Sequence, residues 1–228
     1  MDTGDYLMRL KSLLLAAAAA LTLAGVGAGA AQAAGPLGDK LMVRGRIISV
    51  APDDSATIRP IGGTTDISTS YVPELDLSWF FTPNVAVEAI CCVTPHDVEA
   101  VRTALGTVDL GDVTLFPPTI TLQYHFNTDR AFKPYIGAGI NYTSFFNADL
   151  PAGSPLASID YDESFGGALQ VGFDYKMNDT WYFNVDLKKI FISTDVRIQA
   201  GPALNRAVVT ADVDIDPLVF GIGFGRKF

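Results

Sequence analysis

This sequence is poor in the groups that most enzymes, metal sites and helical membrane spans require. Its 228 residues include only 2 histidines and 2 cysteines. The cysteines, Cys91 and Cys92, are adjacent. Neighbouring residues on a strand face opposite sides, so these two cannot bridge to each other without breaking the strand. They read as two small buried residues that behave as apolar groups. No G-x-S-x-G, H-E-x-x-H or glycine-rich phosphate loop occurs. The expectation is no enzyme, no catalytic residue, no cofactor and no metal. Basic residues are scarce as well: 16 Lys and Arg against 25 Asp and Glu give a net charge of −9. No basic patch is available to neutralise phosphates, which excludes nucleic acid as a partner. The acidic excess reads as solvated surface loops. After residue 33, no apolar run approaches the roughly 18 residues that mark a spanning helix.

The N-terminus does carry an export pattern. Arg9 and Lys11 precede an apolar run from Leu13 to Val26, and Ala31-Gln32-Ala33 fits a small-residue cleavage site. The run is too short and too rich in alanine for a stop-transfer helix. The expected organisation is a signal peptide over residues 1–33 and one domain over 34–228. Without a spanning helix, such a domain enters lipid only as a closed barrel, because open sheet edges cannot be satisfied there.

The patterning that remains has a period of two. At the C-terminus, Leu218, Phe220, Ile222 and Phe224 alternate with Val219, Gly221, Gly223 and Gly225. Bulk on one face and glycine on the other fits a strand with lipid outside and a crowded lumen inside. Similar segments cover residues 40–51, 70–82, 85–95, 113–126, 134–146, 163–177 and 181–197. Short turns lie at Pro83-Asn84, Asp129 and Asn178-Asp179. Longer loops are read over 52–66, 96–111 and 147–161 and near Gly201-Pro202. Aromatic residues cluster at the expected membrane edges: Trp79, Phe81, Tyr124, Phe126, Tyr175, Trp181, Phe224 and Phe228. The fold expected is all-β: an eight-stranded antiparallel transmembrane barrel with short periplasmic turns and long extracellular loops. Its place is the outer membrane of a Gram-negative bacterium.

Alternation also sorts the lumen face. Near the short turns it carries Arg44, Arg46, Asp76, Glu88, Gln123, His125, Asp174, Lys176, Asp186 and Lys188. A barrel of this size is only wide enough for side chains to fill it, so these charges should pair into a plug. Towards the long loops the same face turns apolar, with Ile48, Val50, Val72, Ile90, Ile190, Ile192, Val213 and Ile215. These are candidates to line a pocket for a hydrophobic ligand, or to pack as ordinary core. Pro117 and Pro118 cannot donate to a ladder. They mark either the irregular upper end of a strand or a side opening in the wall. Asp160, Asp162 and Glu163 read as a solvated loop in preference to a divalent-ion site bridging lipopolysaccharide.

Several segments resemble the OmpW family of small outer-membrane barrels. They are Phe80-Phe81-Thr82-Pro83-Asn84-Val85-Ala86-Val87-Glu88, the run from Pro117 to Phe126, the run from Pro134 to Thr143, Gln170 to Tyr175, Asp216-Pro217, and the closing Arg226-Lys227-Phe228. The resemblance implies an eight-stranded barrel whose lumen is linked to passage of small hydrophobic molecules. It also implies Phe228 as the signal read by the barrel assembly machinery, although Arg226 stands where such barrels usually carry an aromatic. Two functions follow as expectations. One is passive uptake of a small hydrophobic ligand through the apolar upper lumen, with lateral exit into membrane lipid. The other is a structural or surface-interaction role, displaying acidic loops to lipopolysaccharide, phage or host.

Overall fold

The computed structural model describes residues 40–202 and 205–228. The expected signal peptide, and the point at which the mature domain is expected to start, lie outside the described residues. Among the described residues fifteen strands are formed: β1 (Leu41–Ala51), β2 (Ser55–Arg59), β3 (Thr64–Ile67), β4 (Ser70–Phe80), β5 (Val85–Cys91), β6 (Thr94–Thr103), β7 (Gly106–Phe116), β8 (Thr119–His125), β9 (Phe132–Asp149), β10 (Leu156–Tyr161), β11 (Ser164–Lys176), β12 (Trp181–Ile190), β13 (Ser193–Ala200), β14 (Val208–Asp214) and β15 (Leu218–Lys227).

Eight of these close on themselves in the order β1-β4-β5-β8-β9-β11-β12-β15 and back to β1, and every pairing is antiparallel. Closure leaves no sheet edge facing lipid. The last ladder is fastened at its end by the Phe228 amide, which donates to the Leu41 carbonyl at 2.8 Å. The outer face is an apolar belt, with Ile47, Leu75, Leu122, Ile136, Val171 and Ile222 all exposed. Aromatic side chains ring both ends: Phe81, Tyr124, Phe126, Tyr175, Phe224 and Phe228 at the short turns, and Tyr71, Tyr142, Phe165 and Phe191 at the other end. Girdles of this kind sit at the two membrane interfaces.

The long connections differ from the sequence reading. Those segments do not run as loops but continue the wall as a crown above the belt. Two crown sheets form, β10-β13-β14-β2 and β3-β6-β7 with the upper end of β9. The physical reason is that alternation persists there: Val98 and Ala100 are buried between exposed Asp97, Glu99 and Pro95. Likewise Val196 and Ile198 are buried between exposed Asp195, Arg197 and Gln199. Polar residues face water above the membrane where apolar ones face lipid within it. No ladder joins the two crown sheets between β2 and β3 or between β9 and β10. The cysteines also divide. Cys91 is exposed on the belt and Cys92 is buried inside, so only one of the pair is the buried group expected.

Candidate functional site

Below the crown the bore is blocked by ionic side chains. β1 supplies Arg44 and Arg46, which stand on the same face two residues apart and are both buried. Arg44 grips Asp174 of β11 with two parallel bonds, Nε to Oδ1 at 3.0 Å and Nη2 to Oδ2 at 2.8 Å. Its Nη1 donates to Asp76 at 3.0 Å and to Ser78 at 2.6 Å on β4. Arg46 donates to Glu74 at 2.7 Å, Glu88 at 3.0 Å and Asn184 at 3.0 Å. Lys188 of β12 bonds Asp186 and lies 3.6 Å from Glu74. The forked Arg44–Asp174 contact is the strong kind, and together the two guanidiniums tie β1 to β4, β5, β11 and β12.

Neutral groups complete the network. The Tyr135 hydroxyl donates to Asp186 at 2.6 Å, and Gln170 donates to both Glu88 and Asp186 at 2.7 Å. Gln123 donates to Gln170 at 3.1 Å, and His125 pairs with Gln123 at 3.0 Å while lying between the rings of Phe80 and Tyr135. The small face of β15 makes room for this. A Cβ on Gly225 would meet Arg44 Cγ at 2.8 Å, and one on Gly223 would meet the Gly45 carbonyl at 2.0 Å. Glycine on this strand is what lets two arginines share the lumen.

Of the ten residues read as plug, nine are buried in this network or against it. Lys176 is the exception. It lies at the periplasmic mouth, its side chain 38% exposed, and bridges to Asp179 in the adjoining turn at 2.9 Å. It is the last residue of its strand, and a long side chain there reaches water in preference to the bore. Glu74, Tyr135, Gln170 and Asn184 also belong to the plug, beyond the ten residues read from the sequence. The signal was available, since Glu74 shares a face with Asp76, Asn184 with Asp186, and Tyr135 with Gly137 by a count of two.

Above the plug lies a dry layer. Ile48, Val50, Val72, Ile190 and Ile192 pack into one apolar cluster, and Ile90 is buried beside the plug. An apolar cavity of about 30 Å³ opens higher up, inside the crown. Of the eight pocket candidates, only Val213 and Ile215 reach its wall; five others are packed floor, and Ile90 is buried outside that cluster. The wall is otherwise made by residues from segments read as loops, among them Val98, Leu110, Leu115, Phe145, Val196 and Ile198. Tyr161 stacks on Phe145 there, with ring centroids 5.4 Å apart, and burial pushes its phenol pKa up. Three polar side chains also line the cavity: Thr65, His96 and Thr194.

The prolines mark a real interruption. Pairing of β5 with β8 ends at Ile90–Thr119, and pairing of β6 with β7 begins at Thr94–Leu115. Residues 91–93 and 116–118 face each other across the wall without a ladder pair. On the other side the wall is closed: Tyr142 donates its amide to the Pro118 carbonyl at 3.1 Å, and Asn141 Nδ2 donates to the Pro117 carbonyl at 3.2 Å.

Comparison with known proteins agrees with this architecture. The model of the OmpW family matches residues 38–228. Outer-membrane protein y4mB of Sinorhizobium fredii is 42% identical over 190 residues, covering 82% of this chain and 79% of that protein. The dibenzothiophene metabolism operon protein PahQ of Pseudomonas aeruginosa is 32% identical over 185 residues, covering 79% and 84%. The crystal structure of the outer membrane protein OprG from Pseudomonas aeruginosa superposes with a TM-score of 0.76 at 33% identity, covering 83% of this chain and 95% of that one. A closed eight-stranded barrel with short turns at one end and a tall crown at the other, matched by that model over its whole described length, places this chain in the OmpW family of outer-membrane proteins.

Proposed function

We propose that this barrel takes up small hydrophobic molecules passively. The observation that carries the reading is the stacking of an apolar crown cavity on a charged plug within one bore. An apolar molecule gains by leaving water for the cavity. It then meets a packed isoleucine floor and, beneath that, a network it would have to strip of hydrogen bonds. The wall interruption at residues 91–93 and 116–118, where no ladder pair joins the two strands, is the sideways exit into lipid that this reading calls for. A relative named for a dibenzothiophene metabolism operon supports a hydrophobic cargo.

The test is Val196→Asp, which puts a carboxylate into the cavity wall. Cells carrying it should accumulate radiolabelled naphthalene more slowly than the parent, while the protein stays folded and heat-modifiable. The control, Asp162→Asn on the exposed crown surface, should leave uptake unchanged. Equal uptake by the Val196 variant would overturn the reading.

One observation favours a second role, in surface contact. Asp195 and Asp212 stand directly opposite each other on β13 and β14, with exposed Asp214 nearby. An outward acidic face just above the membrane suits lipopolysaccharide or host surfaces bridged by divalent ions. That reading predicts the reverse ranking of the two variants.

A further inference from the structure

By the alternation of burial, the eight barrel strands turn two cations outward among the described residues, Lys189 and Arg226. Lys189, near the upper end of β12, is answered by Asp53 at 3.1 Å. Arg226 has no such answer. On β15 it follows Phe220, Ile222 and Phe224 on the outer face, level with Trp181 of β12 and Val43 of β1 in the two flanking ladders. This is the depth of the aromatic girdle at the short-turn end. Its guanidinium carbon lies 4.9 Å from the centre of the Phe228 ring and 5.9 Å from that of Trp181. Both rings are close enough for cation–π attraction, but neither supplies a negative charge. The Arg226 Nε is buried without a hydrogen-bond partner, and the side chain enters no ion pair among the described residues.

An arginine bathed in water would need no partner, but this one stands where the wall meets lipid headgroups. An N–H held out of water without a partner is costly, and more so on a charged group. The anion that abounds at this depth is the lipid phosphodiester, and its oxygens suit the planar guanidinium fork. The field around the site favours a headgroup with net negative charge. Lys40, Lys133 and Lys227 lie at the same end of the barrel, and Lys227 is the next residue in the chain, turned inward over the Phe80 ring at 4.7 Å.

We propose that Arg226, Trp181 and Phe228 form a binding site for the phosphate of an anionic phospholipid in the leaflet at the short-turn end. The guanidinium holds the phosphate, and the two rings restrict the guanidinium and pack beside the lipid. The site lies on the outer wall, at the opposite end of the barrel from the crown cavity, so it is independent of the uptake reading.

The chain has two tryptophans, Trp79 and Trp181. With Trp79→Phe as the parent, fluorescence reports Trp181 alone. The folded full-length protein is placed in phosphatidylcholine vesicles carrying increasing amounts of brominated phosphatidylglycerol or brominated phosphatidylcholine with matched chains. Quenching then gives the relative association constant of the two lipids beside Trp181. Phosphatidylglycerol should be preferred in the parent, and Arg226→Gln should lower that preference about fivefold, as expected for one interfacial cation. Arg226→Lys keeps the charge but not the fork and should lower it by less, which also provides a reading if the Gln variant does not fold. Inorganic phosphate, compared with chloride at equal ionic strength, should leave the preference in place. Equal quenching by the two lipids in the parent, or a preference left unchanged by substitution, would overturn the site. Loss of the preference on adding inorganic phosphate would make this a site for free phosphate and overturn the lipid assignment.

Discussion

Arg46 is buried among Glu74, Glu88 and Asp186, and its guanidinium touches all three strands that carry them. Taking such a group out of water is costly, and only the surrounding carboxylates offset it. Truncating it leaves those carboxylates in a dry bore with fewer cations. Arg46→Leu should therefore lower the unfolding free energy by about 3–5 kcal/mol, read from urea unfolding in lipid vesicles. Arg59 makes a comparison within the same protein. It lies 3.6 Å from Asp212 with both side chains well exposed. Arg59→Leu should cost about 0–1 kcal/mol, as screened surface pairs do. Equal losses for the two variants would mean that the plug is wetter than its packing shows. The residue types of this plug were readable before the structure, because charge on the narrow face of a barrel strand has nowhere else to go. The pairing was not readable, since Arg44 reaches across the bore to Asp174, 130 positions away in sequence.

At the scale of elements, the barrel strands and the crown strands were unequally legible. The eight barrel segments stand out because lipid demands apolar residues on one face without exception. Crown strands carry Asp, Glu, Arg and Ser on their outer face and are punctuated by Pro95, Gly106, Gly111 and Gly201, so they look like loops. Their inward residues keep the period, and that weaker signal is what places the cavity in the crown and not at the top of the membrane. The same outer face sets up a pH dependence. Asp195 and Asp212 are cross-strand neighbours, and like charges so placed repel. Hydrogen bonding to Asp212, with repulsion from Asp212 and Asp162, raises the Asp195 carboxyl pKa above its ordinary value. A carboxyl raised in the folded state contributes stability below its unfolded pKa, and that contribution is lost as pH rises through the folded value. Asp195→Asn acts as a permanently uncharged stand-in. Amide hydrogens of β13 and β14 should exchange more slowly in that variant than in the parent at neutral pH, and at equal rates near pH 4 or below, where the ordinary carboxylate also becomes protonated. A difference that persists unchanged into acid would assign the effect to packing and not to charge.

Across the whole molecule the charge is divided by the membrane belt. The crown surface holds Asp97, Asp195, Asp212 and Asp214, while Lys40, Lys133, Lys176 and Lys227 gather where the short turns are. The sequence total of −9 conceals this polarity, which appears only once the strands are folded back and forth and each end is collected in space. With both described termini, Lys40 and Phe228, at the short-turn end, a barrel of this family places that end in the periplasm and the crown outside. The orientation is testable with single cysteines on a background in which Cys91 and Cys92 are replaced by serine. Ala104, at the tip of the β6–β7 hairpin, and Ala152, between β9 and β10, are exposed on the crown. Asp129 and Asp179 are exposed in two of the short turns. A membrane-impermeant maleimide added to intact cells should label Ala104→Cys and Ala152→Cys, and should reach Asp129→Cys and Asp179→Cys only after the outer membrane is permeabilised. The opposite pattern would put the plug uppermost. The cavity would then open to the periplasm, and an apolar molecule arriving from outside would meet the charged network first. In that arrangement the Val196 variant could not govern uptake, so the labelling result decides whether the crown is the receiving end of the barrel.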